Sequence, residues 1–163
     1  MRVCTNIKRR GNEMAGLYFE QFSVGQTFVH EIRRTVTDMD NILFSSLTYN
    51  PAAVHIDHEY AKSTEFGKPL MNSIFTLGLV IGLSVQDTTL GTTVGNLGME
   101  DTKFPRPVFA GDTIRAETKI LAVRESKSRP TQGIVTFEHR GFNQHNEEVA
   151  YCRRMGLMMR RPA

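Results

Sequence analysis

Residues Met71–Val85 read Met-Asn-Ser-Ile-Phe-Thr-Leu-Gly-Leu-Val-Ile-Gly-Leu-Ser-Val and form the body of the longest apolar-leaning run in the chain. Their apolar side chains fall on almost every side of a helix, so the pattern predicts a helix that is buried on most sides. Ser73, near its start, is a residue type that can cap a helix. Polar and glycine residues interrupt the run, which therefore falls short of the roughly 18 uninterrupted apolar residues of a membrane span.

The rest of the C-terminal half predicts β-structure. Strands are expected at Thr93–Phe104, Thr113–Glu125, Gly133–Asn143 and Glu148–Arg160, where β-forming residues are separated by clusters of Pro, Gly, Asn and Ser. A fifth strand is expected at Gln26–Val36, where apolar and polar residues alternate. One long buried helix beside about five strands indicates an α+β fold, with an antiparallel sheet wrapped around the helix.

Two short helices are expected between the first strand and the long helix. Thr37 and Asp40 have the spacing of a capping box and predict a helix over residues 38–47, with residues 42–44 on its buried side. Asp57 has the residue type of an N-cap and predicts that a second helix starts just after it. The irregular stretch between these helices is expected to be an ordered loop.

Length and composition limit the classes of protein. The chain has 163 residues with 40% hydrophobic and 23% charged residues, which suits one domain with a real core. Residues 1–15 are polar and aperiodic, so a flexible N-terminal extension and one domain over residues 16–163 are predicted. The net charge of +3 comes from scattered basic pairs, which does not indicate nucleic-acid binding. No secretory signal is recognisable, so a cytoplasmic protein is expected.

Neither cysteine indicates a disulfide framework or a zinc site, because Cys4 and Cys152 lie at opposite ends of the chain without metal-binding spacing.

His55 could act as a general base, since imidazole titrates near neutral pH, with Asn50 five residues before it and Asp57 two residues after it. A hydrogen-bonded structural histidine is the commoner alternative, and Asp57 is more simply a helix cap.

The start of the buried helix is a second candidate for chemistry. The first N–H groups of a helix lack intrahelical partners and lie at the positive end of the helix dipole. The N–H of Ser73 could therefore stabilise a carbonyl oxygen that gains negative charge during a reaction. A plain N-cap is the alternative.

The segment from Phe44 to Phe75 resembles the core of the MaoC-like, R-specific enoyl-CoA hydratases, which have the hot dog fold. The family pattern runs roughly F-A-x-L-[ST]-x-D-x-N-P-x-H-x-D and then F-G-x-P-[IL]-x-H-G-M. Aligned without gaps, the matching residues are Phe44, Leu47, Thr48, His55, Asp57, Phe66, Gly67 and Pro69. Residues Pro107–Thr113 are similar to the family's P-V-x-x-G-D-T.

The chain departs from the family pattern at the site. Asn50 stands where the family has its catalytic Asp, and Asn72-Ser73 replaces the family's His-Gly at the helix start. These changes are similar to a subgroup that acts on branched, carboxylated acyl-CoAs such as mesaconyl-CoA or itaconyl-CoA. Asn96-Leu97-Gly98 and Gly141–Gln144 also match that subgroup.

The resemblance implies an enoyl-CoA hydratase or dehydratase, which adds or removes water across the double bond of an acyl-CoA thioester. In that role His55 serves as general base and acid, Asn50 orients the water, and the backbone N–H of Ser73 polarises the thioester carbonyl. Neither a metal nor a separate cofactor is expected, because coenzyme A arrives as part of the substrate.

The resemblance also implies partners and leaves alternatives open. The family dimerises, so a homodimer or a dimer of dimers is expected. Lys127 and Arg129 are the candidates for binding the phosphates of coenzyme A, with a solvated turn as the alternative. A hot dog acyl-CoA thioesterase and a non-catalytic acyl-CoA-binding hot dog protein remain the competing functions.

Overall fold

A computed structural model of the chain describes residues 16–162. The helices are α1 (Asp38–Leu47), α2 (Ala53–Ile56), α3 (His58–Lys62) and α4 (Ser73–Thr88), preceded by a 3-10 turn at Phe19–Gln21. The strands are β1 (Thr27–Val29), β2 (Arg34–Thr35), β3 (Thr93–Lys103), β4 (Thr113–Glu125), β5 (Gln132–Phe142) and β6 (Glu148–Met159). The extension expected at residues 1–15 lies outside the described residues.

The strands form an antiparallel sheet in the order β1-β4-β5-β6-β3, and β2 also pairs with β4. The sheet wraps around α4, which packs against β4, β5 and β6. The predicted α+β hot dog fold is therefore confirmed. Within the described residues, no helix has the length and apolarity needed to cross a membrane.

The helix approaches the sheet most closely at Val80 of α4 and Gly141 of β5. A Cβ atom on Gly141 would lie 2.3 Å from Val80 Cγ2, so a larger residue would require the Val80 side chain, the helix or the strand to shift. Val80 is fully buried and belongs to the larger of two apolar clusters. The second cluster, around Phe137, lies beneath the 3-10 turn, where Gly133 makes room for the Phe19 ring.

The strand expected at residues 26–36 is interrupted. β1 and β2 are separated by residues 30–33, and His30 turns its ring into the core, where it is 4% exposed. The burial of His30 follows the predicted alternation with Phe28, so alternation alone does not show where the pairing with β4 ends.

Helix α1 has the predicted bounds, but its predicted buried side is only partly right. Phe44 is half-buried, with its ring 5.8 Å from that of Phe75. The Thr37–Asp40 capping box is present, yet Ile42 and Leu43 are 39% and 54% exposed. The helix instead buries Asn41 and Ser45.

A buried chain of hydrogen bonds crosses the core beneath α4. Arg154 can only donate, so its Nε–H donates to His139 Nε2 (3.1 Å), and His139 Nδ1–H donates to Thr118 Oγ1 (2.9 Å). The Thr118 hydroxyl then donates to His30 Nε2, and His30 Nδ1–H donates to Asp87, each over 2.8 Å. His139 is therefore neutral, and burial, with Arg154 nearby, holds its pKa well below its usual range.

The depressed pKa of His139 predicts a loss of stability in mild acid. Below about pH 6.5 the unfolded chain binds a proton at His139 that the folded chain refuses, so the free energy of unfolding falls. We expect a lower Tm at about pH 5.5 than at about pH 7.5, and a smaller difference in His139→Gln, which has no titrating ring. An equal drop in wild type and variant would show that other groups cause it.

Candidate active site

His55 lies in α2, a single turn within the stretch expected to be a loop, and is half-buried. Its Nδ1 lies 2.7 Å from the carbonyl oxygen of Leu70. Because a carbonyl oxygen only accepts, Nδ1 carries the ring proton, and Nε2 of the neutral ring is left with a free lone pair. His55 can therefore accept a proton at Nε2.

The segment before α4 is tied to its surroundings on two sides. The Leu70 N–H donates to the Val54 carbonyl next to His55 (2.9 Å). The Met71 N–H donates to the Val108 carbonyl (2.9 Å). These bonds bring the start of α4 close to both α2 and the segment before β4.

Asn72, rather than Ser73, caps α4. The Asn72 Oδ1 accepts from the Ile74 N–H (3.0 Å), so the expectation that Ser73 caps the helix is wrong. Ser73 is the first helical residue, and its backbone N–H has no hydrogen-bond acceptor within residues 16–162. This N–H is available to an external oxygen at the positive end of the helix dipole.

A cleft of about 220 Å³ opens beside the start of α4, with Ser73 on its wall. Arg106 supplies the only charged side chain among its described lining residues, and the Arg106 Nε lies 3.3 Å from Glu147 Oε1. The cleft is therefore mainly apolar, with one guanidinium that already faces a carboxylate. Its apolar wall includes Phe66, Leu70, Met71, Phe104, Val108 and Val149.

Asn50 lies at the entrance to α2. The side-chain Oδ1 of Asn50 accepts from the Ala52 N–H (3.1 Å), and the backbone N–H of Asn50 donates to the Ser45 carbonyl (2.8 Å). The Asn50 NH₂ group makes no hydrogen bond within the described part of the chain, so it can donate to a water molecule. An amide cannot take up the proton of that water.

Lys127 and Arg129 lie on the exposed turn between β4 and β5. This turn lies near the end of β6, because the Arg160 N–H donates to the carbonyl oxygen of Thr131. The end of β6 also lies near the end of α4, because the Met159 N–H donates to the carbonyl oxygen of Thr92. Within one chain the turn is therefore at the opposite end of α4 from Ser73, and a 16-residue helix is about 24 Å long. Phosphate binding by this pair stays a prediction.

Two features of the site had not been predicted from the sequence. The Leu70 carbonyl is a backbone group and leaves no trace in residue types. Arg106 lies between Pro105 and Pro107, directly before the P-V-x-x-G-D-T match, so its closeness to that motif was the available signal. The described residues contain no cluster of three or more His, Cys, Asp or Glu side chains that could hold a metal ion.

The family model described as MaoC like domain matches residues 19–141. The chain belongs to the MaoC-like dehydratase family. This match covers the candidate base, the helix start and every lining residue of the cleft except Val149.

Individual curated proteins are also similar to this chain in sequence. The chain is 33% identical over 135 residues to a mesaconyl-CoA hydratase of Cereibacter sphaeroides, covering 83% of this chain and 39% of that protein. It is 33% identical over 134 residues to a beta-methylmalyl-CoA dehydratase of Chloroflexus aurantiacus, covering 82% and 38%. The MaoC-like chain thus spans about two fifths of the length of these curated relatives.

A solved structure shows the same fold. The MaoC-like dehydratase from Rhodospirillum rubrum superposes with a TM-score of 0.78 at 30% identity, covering 91% of this chain and all of that chain.

Proposed function

We propose that the protein is an enoyl-CoA hydratase or dehydratase, which adds water to, or removes it from, the double bond of an acyl-CoA thioester. The observation that carries this proposal is the joint placement of the His55 base and the Ser73 N–H by one short segment. Leu70 binds the ring of His55 through its carbonyl oxygen, and α4 begins three residues later.

The chemistry of hydration fits these groups. His55 Nε2 takes a proton from water while the water oxygen bonds to the β-carbon of the thioester. Negative charge then builds on the thioester oxygen, where the N–H of Ser73 and the helix dipole stabilise it. The imidazolium returns its proton to the α-carbon, so one base delivers both parts of the water to one face of the double bond.

The acyl chain that we propose is short, branched and carboxylated. The apolar cleft beside Ser73 supports this class, because Arg106 supplies a guanidinium that can bind a carboxylate through two parallel hydrogen bonds. The relatives named as mesaconyl-CoA hydratase and beta-methylmalyl-CoA dehydratase also support it.

A homodimer is proposed as the working assembly. Strand β3 lies at the edge of the sheet and pairs with β6 on one side, while no described strand pairs with its other side. Val94, Leu97 and Met99 on this strand are 39–50% exposed, and an exposed apolar edge strand favours pairing with another chain. In such a dimer Lys127 and Arg129 of one chain would be candidates for the phosphates of coenzyme A bound beside the other.

The hydratase proposal predicts a mass change that depends on His55. Incubation with crotonyl-CoA, mesaconyl-CoA and itaconyl-CoA should add the mass of one water to at least one substrate, as measured by mass spectrometry. His55→Ala should lower the rate by about 10²- to 10⁴-fold. His58→Ala is the matched control, since the His58 side chain is 57% exposed and lies just outside α2.

The same reactions separate the competing functions. Release of free coenzyme A would indicate a thioesterase. Intact substrates that nevertheless bind would indicate an acyl-CoA-binding protein, and equal loss in both histidine variants would remove His55 from the mechanism.

Arg106→Gln tests the substrate class. Loss of the guanidinium should lower kcat/KM for mesaconyl-CoA by about tenfold or more, because a charged hydrogen bond is lost. The value for crotonyl-CoA, which has no second carboxylate, should change by less than about threefold. Arg124→Gln, at an exposed arginine of β4, is the control. Equal losses on both substrates would contradict carboxylate recognition by Arg106.

Asn50→Asp tests the amide at the second catalytic position. The variant keeps the Oδ1 that accepts from Ala52, so it should fold, and it gains a proton acceptor that should speed hydration of crotonyl-CoA. Its negative charge should oppose a carboxylated acyl chain by about 1 kcal/mol, so the ratio of mesaconyl-CoA to crotonyl-CoA rates should fall about fivefold. Slower rates on both substrates would instead mean that the NH₂ group of Asn50 is needed.

A further inference from the structure

Asn41 of α1 is 1% exposed, and its side-chain amide is bonded on both sides. The Nδ2 group donates to the carbonyl oxygen of His55 (2.7 Å) and to the carbonyl oxygen of Leu70 (2.9 Å). The Oδ1 accepts from the backbone N–H of Asn72 (2.9 Å). One buried side chain thus contacts the candidate base, the oxygen that binds its ring and the cap of α4.

These three bonds need a primary amide. Two N–H donors and one acceptor must lie on a single short side chain, which among the natural residues only Asn and the longer Gln provide. An Asp carboxylate would place negative charge against two carbonyl oxygens, and an apolar residue would leave three buried backbone groups without partners.

We propose that Asn41 is a positioning residue for the hydration reaction, an inference that rests on the proposed function. The Leu70 oxygen accepts from both Asn41 Nδ2 and His55 Nδ1. By fixing this oxygen, Asn41 keeps the ring proton of His55 on Nδ1 and leaves Nε2 free to act as the base.

The third bond of Asn41 acts on the other half of the site. By accepting from the Asn72 N–H, Asn41 sets the position of the residue that caps α4, and Ser73 follows it directly. The side-chain amide of Asn41 therefore holds both the candidate base and the start of α4 in position. A displacement of about 1 Å between such groups is enough to cost about 10²-fold in rate.

The test compares Asn41→Ala and Asn41→Ser with Ser45→Ala. Ser45 is a matched control because it is fully buried in the same helix and its hydroxyl has no partner among the described residues. For each protein, kcat and KM are measured on the substrate that the wild type hydrates, with Tm as a check on folding. The tautomer of His55 is read from ¹H–¹⁵N spectra of the imidazole rings, assigned by comparison with His55→Ala.

We expect kcat of Asn41→Ala to fall about 10- to 100-fold, while KM changes by less than about threefold, since the substrate-binding cleft is intact. The wild type should show His55 as the Nδ1–H tautomer, and Asn41→Ala should show both tautomers. Asn41→Ser, which keeps one donor and one acceptor, should lie between the two and serves if the alanine variant does not fold. Ser45→Ala should match the wild type throughout.

Other results would overturn the proposal. An unchanged kcat in folded Asn41 variants would overturn it. A change in KM without a change in kcat would overturn it too, and so would a lower Tm with an unaltered His55 tautomer. If the wild type hydrates no enoyl-CoA, the proposed function fails, and the spectra still decide whether Asn41 positions the ring of His55.

Discussion

The packing of Val80 against Gly141 sets where the central helix sits on the sheet. Because no Cβ fits between them, the axis of α4 is held close to β5 at mid-length. The start of α4 is then fixed relative to the ends of the strands, and the segment before it must meet α2 and the Val108 segment. A side chain at residue 141 would therefore act on the site through the helix, far from any reacting group.

The site is assembled mainly from backbone groups that polar side chains hold in place. The Leu70 carbonyl fixes the ring of His55, while the Asn72 side chain satisfies one helix N–H and leaves that of Ser73 available. Asn41 of α1 faces inward because its side chain forms hydrogen bonds with three backbone groups there. These hydrogen bonds offset the free-energy cost of burying the amide. Ile42 and Leu43 of α1 lie towards the surface instead.

Regular elements were predictable where local chemistry and periodicity agree. The bounds of α1 follow from the Thr37–Asp40 box, and the strand over residues 113–125 follows from the turns at its ends. Prediction failed where a polar side chain found a distant partner. Asn41 is buried because its three backbone partners are nearby only in the folded chain. The end of β1 at Val29 has no such cause, since the burial of His30 fits the predicted alternation. His55 was proposed from its match to the family pattern and Ser73 from its place at the start of a helix, but no residue type reveals the Leu70 carbonyl that binds the His55 ring.

The substrate class that we propose would connect the amide at residue 50 with the arginine in the cleft. An amide at residue 50 removes a negative charge from the neighbourhood of the base, and Arg106 adds a positive charge to the cleft. Both features would favour the anionic acyl chain that we propose, although Arg106 would have to bind it beside Glu147, which lies 3.3 Å from the Arg106 Nε. Under the proposed function, the absence of a carboxylate at residue 50 would reduce repulsion of such a chain. His55 would then be the single base, and its firm hold by Leu70 would matter more because no second carboxylate would share its task.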